Sequence, residues 1–324
     1  MHVLFCVGKS YYPVHHLIVE KLEAYGARVD CLMYDQATKK NIIDKIHDAE
    51  IYITAVAPAD REIIDAASRL KYILKTGTGL DNIDMDYASE KGIYVSNAPG
   101  GNAPAVAELA IGLMIAVSRQ VPQLDRATKK GIWTHSNGFE LRGKTLGIIG
   151  FGAIGISIAR IASAFSMERI AYGTHRNDQA ASELGVQFVT LDQLLQESDY
   201  IVICTALKKS NYHLINAEAL EKMKPTSFLI NVSRGAVVDE KALLQALRSE
   251  KIGGAALDVF ETEPPEDMLP ALDNLVVTPH IGGTTKESVR RVAMVTVDNI
   301  RRYIQGEPLN HVANQQALAE GGSN

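Results

Sequence analysis

Short apolar runs rich in β-branched residues recur along the chain, separated by stretches whose apolar residues fall at helical spacing. In the first part of the chain the runs 2–7, 27–32, 50–54, 71–75 and 93–95 read as strands, with amphipathic helices at 13–25 and 59–67. A second series follows Lys144, with strands at 145–149, 169–172, 186–189, 200–204, 227–232, 254–259 and 275–277. Helical patterns at 155–165, 217–223 and 240–249 separate several of these. Alternation of strand and helix is the signature of parallel α/β architecture, so two doubly wound parallel-sheet units are expected. Ala98-Pro99-Gly100-Gly101-Asn102-Ala103-Pro104 supplies the turn residues and breakers that join them. The next stretch, 105–117, is apolar on nearly every face, with Glu108 its only charge. A helix of that kind must be buried on all sides, either as a core helix between the units or with one face against a second subunit. Beyond Pro279 the pattern predicts one long helix over 286–304, stopped by Gly306-Glu307-Pro308. If that helix crosses back to the first unit, the first domain is discontinuous.

Composition narrows the class. The 324 residues favour two domains over one, and a 46% hydrophobic content is enough to build real cores. A net charge of −5, without a block of five or six like charges, argues against nucleic acid or an anionic membrane as partner. Cys6, Cys31 and Cys204 are too few and too scattered for a disulfide framework or a zinc site, and no metal site is expected. The start of the chain lacks a cationic region and a small-residue cleavage site, and no apolar run reaches the roughly 18 residues of a membrane span. A soluble, cytoplasmic protein is expected.

Gly150-Phe151-Gly152-Ala153-Ile154-Gly155 follows the apolar strand 145–149 and opens the helix 155–165. Alone this spacing is a weak signal, but between strand and helix it marks a dinucleotide site. The first glycine permits the tight turn, the second lets the backbone approach a pyrophosphate, and the third lets helix and strand pack closely. The next strand should end in an acid that grips the ribose hydroxyls. Here it is followed by Gly173-Thr174-His175-Arg176-Asn177, and Asp178 falls too far along. Without that acid a 2′-phosphate meets no repulsion, and Thr174, His175 and Arg176 offer donors and positive charge. This favours NADP over NAD. The alternative is a loosened NAD site whose Arg176 points to solvent.

Three polar residues each follow a late apolar strand: Arg234, Glu263 and His280. The carboxyl ends of strands form the ligand crevice of open α/β sheets, so these side chains are candidates to converge beside a nicotinamide. Reduction of a 2-keto acid needs a proton donor for the carbonyl oxygen, and histidine titrates in the useful range. A neighbouring carboxylate stabilises the imidazolium and fixes its tautomer, while a guanidinium holds a carboxylate in two-pronged fashion. Taken singly, Arg234 could cap a helix, Glu263 could be an exposed turn residue and His280 a satisfied loop histidine.

With these residues in view, the chain resembles the D-isomer-specific 2-hydroxyacid dehydrogenase family over essentially its full length. The resemblance lies in Gly77-Thr78-Gly79-Leu80-Asp81-Asn82-Ile83-Asp84, Ala107-Glu108-Leu109-Ala110, Gly150–Gly155, Asn231-Val232-Ser233-Arg234-Gly235, Ala256-Leu257-Asp258-Val259-Phe260, Glu263-Pro264-Pro265 and Pro279-His280-Ile281-Gly282-Gly283. It implies a catalytic set of Arg234, Glu263 and His280. It implies cofactor contacts at Gly152, Ala153, Ile154, Thr205, Val232, Asp258, His280 and Gly283, and substrate carboxylate binding by the backbone N–H groups of Gly77, Thr78 and Gly79. Val106 and Asn102 are weaker candidates near nicotinamide and substrate. The resemblance also implies a Rossmann cofactor domain, 101–284, inserted into a flavodoxin-like substrate domain made of 1–100 and 285–324. Cleft closure and a homodimer formed through the cofactor domain follow from the same resemblance.

Three departures stand out: the missing ribose acid, Ala153 where an arginine often follows the second glycine, and Cys204-Thr205-Ala206 in place of His-Thr-Pro. The segments 77–84 and 282–288 most resemble the phosphoglycerate dehydrogenase branch. That branch places basic residues near the substrate phosphate, where Lys75 is a candidate but Thr54 stands in place of an arginine. A glyoxylate or hydroxypyruvate reductase is the neighbouring reading. At this length the chain is expected to lack the C-terminal regulatory domain of longer members, with no serine feedback. From another class, a non-catalytic nucleotide-sensing corepressor on the same fold is the alternative, and turnover separates the two.

Overall fold

The computed structural model describes residues 1–174, 176–266 and 268–321. It divides into two compact units, residues 1–102 with the described residues from 284 onward, and residues 103–283.

The first unit holds β1 (His2–Val7), α1 (His15–Ala24), β2 (Arg28–Met33), α2 (Lys39–Ile46), β3 (Ile51–Thr54), α3 (Arg61–Ala66), β4 (Tyr72–Lys75), α4 (Met85–Glu90) and β5 (Tyr94–Ser96). All pairs are parallel, in the order β2-β1-β3-β4-β5, which is the flavodoxin-like arrangement. Strands covered on both faces read as continuous apolar runs, and β1 shows why. Its Val3, Phe5 and Val7 face one cluster with Ile18 and Leu22 of α1. Its Leu4 and Cys6 face the other, with Ile42 and Ile46 of α2 and Ile63 of α3.

The second unit runs through α5 (Ala103–Ser118), α6 (Val121–Lys129), β6 (Thr145–Ile149), α7 (Ala153–Ala164), β7 (Glu168–Tyr172), α8 (Asp178–Glu183), β8 (Val186–Phe188), α9 (Leu191–Glu197), β9 (Tyr200–Ile203), α10 (Ala217–Lys222), β10 (Phe228–Asn231), α11 (Glu240–Arg248), β11 (Gly254–Leu257) and β12 (Leu275–Val277). Its seven parallel strands lie in the order β12-β11-β10-β9-β6-β7-β8. The chain reverses direction across the sheet between β6 and β9, the switch point at which such folds take ligands.

The chain then returns to the first unit as α12 (Lys286–Gln305) and α13 (Gln315–Gly321). Val289, Val292, Ala293, Val297 and Ile300 of α12 complete the cluster under Phe5 and Leu74, so the first unit is built from both ends of the chain.

Helix α5 is a core helix with one open stripe. Val106, Ala110, Leu113, Met114 and Val117 sit in the cluster beneath β10 and β11. Pro104, Glu108 and Gly112, four residues apart on one face, are exposed, so burial on every side, as the sequence suggested, does not hold within the chain. No single helix among the described residues is long and apolar enough to cross a membrane.

Candidate active site

The glycine turn shows each of its three functions in space. Gly150 adopts φ +99°, and a Cβ there would meet Thr205 Cα at 2.9 Å. A Cβ on Gly155 would meet Gly150 O at 2.3 Å, which is what lets α7 start so close to β6. A Cβ on Gly152 would find nothing within 4 Å, so the space over the start of α7 is open. Gly152 is the residue before α7 and has no side chain to occupy the first N–H groups of the helix, including those of Ala153 and Ile154. An anion is attracted there by the unpaired donors and the helix dipole. Behind the turn, Cys204 Sγ donates to Gly150 O at 2.9 Å, and burial pushes its thiol up to about 12. That thiol braces the turn and stays protonated.

At the end of β7, Gly173 and Arg176 line an open cavity of about 630 Å³ with Tyr172, Phe188, Thr190 and Gln193. The Arg176 guanidinium lies 5.1 Å from the Phe188 ring centroid. The one carboxylate among the lining residues, Asp192, is paired with Lys222 at 3.0 Å. Thr174 is exposed beside this cavity mouth, and His175 lies outside the described residues.

Arg234, Glu263 and His280 follow β10, β11 and β12, three adjacent strands in register at Asn231, Leu257 and Val277. His280 Nδ1 lies 2.6 Å from Glu263 Oε2, with the histidine half-exposed and the glutamate somewhat less so. The second oxygen, Glu263 Oε1, accepts from Phe260 N–H at 3.1 Å. Partial burial pushes the Glu263 carboxyl up. The hydrogen bond and charge of His280, the Phe260 N–H and the Arg234 charge outweigh it and leave the group below its ordinary 4.5. Arg234 leads into the short turn Gly235–Val237 without capping it through its side chain, and donates to Ser233 O at 2.7 Å. Asn231, buried beneath, accepts from Ser233 and donates to Arg234 O at 2.9 Å, and so shapes this turn.

Asp258, which the resemblance placed among cofactor contacts, is 1% exposed and commits both oxygens to protein donors. Oδ1 accepts from Thr278 Oγ1 at 2.6 Å and Ile281 N–H at 2.8 Å, and Oδ2 accepts from Gly282 N–H at 2.8 Å. His280 adopts φ +52°, a left-handed conformation that costs a non-glycine residue energy unless its surroundings enforce it. Asp258 is the enforcement. Val232 is buried at the end of β10, Thr205 lies against Gly150, Gly283 closes the same loop as His280, and Val106 is buried in α5.

In the first unit, Ala98 N–H donates to Gly77 O at 2.9 Å, Asn97 Nδ2 to Thr78 O at 2.6 Å, and Thr78 Oγ1 to Asn102 Oδ1 at 3.2 Å. These bonds use carbonyls and side chains; among the described residues no acceptor takes the N–H of Gly77, Thr78 or Gly79. Lys75 Nζ is engaged by Ala55 O and by Asn82 Oδ1. Thr54 is fully buried, its hydroxyl donated to Ala57 O at 2.6 Å.

A glycine turn at the switch point of a Rossmann sheet, with a histidine–glutamate pair and an arginine at the carboxyl ends of other strands of the same sheet, defines a nicotinamide-dependent oxidoreductase. Residues 111–282 match the family model described as D-isomer specific 2-hydroxyacid dehydrogenase, NAD binding domain. The chain is 38% identical over 313 residues to a D-3-phosphoglycerate dehydrogenase of Methanocaldococcus jannaschii, covering 95% of this chain and 59% of that one. It is 43% identical over 291 residues to a hydroxypyruvate reductase of Thermotoga maritima, covering 88% of each. Among solved structures, an acyclic imino acid reductase in complex with NADPH and D-Arg superposes with a TM-score of 0.86 at 30% identity, covering 96% of this chain and 99% of that one. The chain belongs to the D-isomer-specific 2-hydroxyacid dehydrogenase family, oxidoreductases of 2-hydroxy acids. It spans little more than half the length of the Methanocaldococcus relative.

Proposed function

We propose that this protein interconverts a small 2-keto acid and its D-2-hydroxy acid, with NADP(H) preferred over NAD(H). The observation that carries this reading is the 2.6 Å contact between His280 and Glu263 beside Arg234, on the same sheet edge as the open glycine turn. With its pyrophosphate held at that turn, a reduced nicotinamide cofactor would supply the hydride. His280 donates the proton to the carbonyl oxygen through Nε2, the ring nitrogen that Glu263 leaves unused. Glu263 holds the ring and stabilises its charged form. Arg234 polarises the keto oxygen and holds the substrate carboxylate. Within the first unit, the N–H groups of Gly77, Thr78 and Gly79 are of the kind that binds a carboxylate. Ala153 and Ile154 offer backbone N–H groups to the pyrophosphate.

The substrate class favoured is glyoxylate or hydroxypyruvate rather than a phosphorylated acid. Thr54 and Lys75 support it, since the hydroxyl of one and the ammonium of the other are taken up within the fold. One missing guanidinium–phosphate contact costs about 1.5–3 kcal/mol. The test is NAD(P)H oxidation at 340 nm, an expected wavelength for the reduced nicotinamide, with hydroxypyruvate, glyoxylate and 3-phosphohydroxypyruvate. Rapid turnover with either unphosphorylated acid is expected. Cofactor binding without turnover of any acid would favour the sensing corepressor instead.

Two further outcomes follow. A Cβ at Gly173 would sit 3.7 Å from Phe151 N, an ordinary contact, so an aspartate fits at the start of the ribose cavity. Gly173→Asp is expected to turn the kcat/KM preference from NADPH toward NADH, by about tenfold or more for one charge repulsion of 1.4 kcal/mol. An unchanged ratio would count against the NADP reading. For pH, Glu263 is depressed, so its ionised form persists as pH falls until its own lowered value is crossed. The acid limb of kcat for reduction is therefore expected below pH 4.5 in the wild-type chain. A limb above that value would mean that Glu263 is not the ionised partner.

We further propose a homodimer formed through the second unit. Beside α6, Trp133 is 80% exposed, with Ile132, Val121 and Phe139 also open to solvent and a groove between α5 and α6 lined by Ile115, Val121 and Leu124. So much aromatic and aliphatic surface in one segment supports burial by a second copy. Sedimentation at a single-chain mass would refute it. The three free thiols and the use of NAD(P)H support a cytoplasmic setting.

A further inference from the structure

The loop that carries Glu263 is held from a second side. Two residues earlier, Glu261 Oε1 accepts the Glu240 N–H at 2.9 Å, and Glu240 Oε2 accepts the Glu261 N–H at 3.2 Å. Two carboxylates thus exchange backbone hydrogen bonds across the start of α11, where Asp239 already caps the helix by accepting from Ala242 N–H. Three acids are gathered at one helix end, and the helix dipole offsets only part of their repulsion. His213 faces them from the loop between β9 and α10. Its Nε2 lies 3.1 Å from Glu261 Oε1 and its Nδ1 3.9 Å from Asp239 Oδ2. The histidine is not there by side-chain chance. Its backbone adopts φ +49°, its N–H donates to Ala236 O at 2.8 Å, and the Tyr212 ring stacks on its own with centroids 4.0 Å apart.

The same region is in direct contact with the arginine loop. A Cβ on Gly235 would fall 1.8 Å from Phe260 C and 2.3 Å from Glu261 N, so the backbone after Arg234 runs against the backbone before Glu263. Ile215, two residues after His213, pairs with Val238 through Ile215 N–H to Val237 O at 3.0 Å. The loops bearing His213, Arg234 and Glu263 are therefore tied into one set, with Glu261 at the knot.

We infer that His213 is a positioning residue for the Glu263–His280 pair, acting through Glu261. It fixes the loop from which Glu263 reaches His280, and the approach of its buried Nε2 to within 3.1 Å of Glu261 Oε1, a close charge contact without hydrogen-bond geometry, keeps that loop against the start of α11. The inference rests on the proposed reading that the pair handles the substrate proton.

The test uses the full chain with two substitutions. His213→Asn tolerates the left-handed backbone but is too short to reach Glu261. His213→Gln keeps the reach and a donor. In His213→Asn, kcat for hydroxypyruvate reduction is expected to fall about tenfold with NADPH affinity unchanged, as for a group displaced by a fraction of an ångström. The alkaline limb of the reduction profile should move to lower pH by roughly half a unit, because a displaced Glu263 stabilises the imidazolium less. His213→Gln should restore most of both. An NMR titration of the His280 ring reads the same displacement without any turnover. An unmoved limb and an unmoved His280 titration, whatever happens to Tm, would show that His213 serves only the fold and overturn the inference. Absence of wild-type turnover would contradict the proposed function instead, and the ring titration would still decide for or against His213.

Discussion

Replacing His280 with asparagine is expected to lower kcat for keto-acid reduction by about 10²–10⁴-fold, the range that a positioned general acid contributes. Asparagine is the sharper choice than alanine, because it accepts the φ of +52° that the loop imposes and so removes the imidazole with little backbone change. The loss follows from geometry. Glu263 takes Nδ1 at 2.6 Å, which leaves Nε2 as the ring nitrogen able to reach a carbonyl oxygen. Asparagine carries no group that gains and loses a proton in this pH range. NADPH affinity should change far less, because the glycine turn belongs to the β6–α7 connection and does not depend on the imidazole. Steady-state kinetics with a separate fluorescence titration of NADPH distinguishes the two effects. A variant that keeps kcat within a few-fold of wild type would remove His280 from the chemistry.

The second large effect is at Gly235. An added methyl would overlap Phe260 C at 1.8 Å and Phe260 O at 2.1 Å, and these are backbone atoms that no rotamer change can move aside. One of the two loops must shift, and each carries a residue of the candidate site, Arg234 on one side and Glu263 on the other. Gly235→Ala is expected to destabilise the fold by about 3 kcal/mol or more, the upper end for overpacking, and to cut kcat in the protein that still folds. Gly152→Ala is the control. It has open space for its methyl within 4 Å, so stability should hold while cofactor affinity falls. Denaturant titration reads the first and NADPH titration the second. Equal stability for the two variants would mean that the loops are not in contact as described.

How much of this was legible beforehand varies with the physics. The central strands announce themselves because parallel strands covered on both faces are apolar throughout, as in Tyr200–Ile203 and Phe228–Asn231. Short helices such as Met85–Glu90 and Leu191–Glu197 were not legible, since six or seven residues give too few turns for a periodic signal. Their start signals were present, however, in the capping residues Asp84 and Thr190. Arg234, Glu263 and His280 were readable because each follows a strand whose end faces the crevice. The groups that position them were not. Asp258 reads as a strand-end acid, and only the structure shows its oxygens spent on Thr278, Ile281 and Gly282. His213 and Glu261 are 48 positions apart, and nothing in spacing or composition brings them together. Likewise, Lys75 looks available in sequence, yet Ala55 and Asn82 engage it.

The central claim is that a hydride passes from the nicotinamide to the carbonyl carbon of a keto acid while His280 protonates the oxygen. Incubation of the protein with glyoxylate and NADPH deuterated at the transferred position, followed by mass spectrometry of the glycolate formed, tests it most directly. The account predicts glycolate carrying one deuterium at carbon 2. Glycolate without deuterium, or the absence of reduced product from glyoxylate and hydroxypyruvate alike, would contradict it.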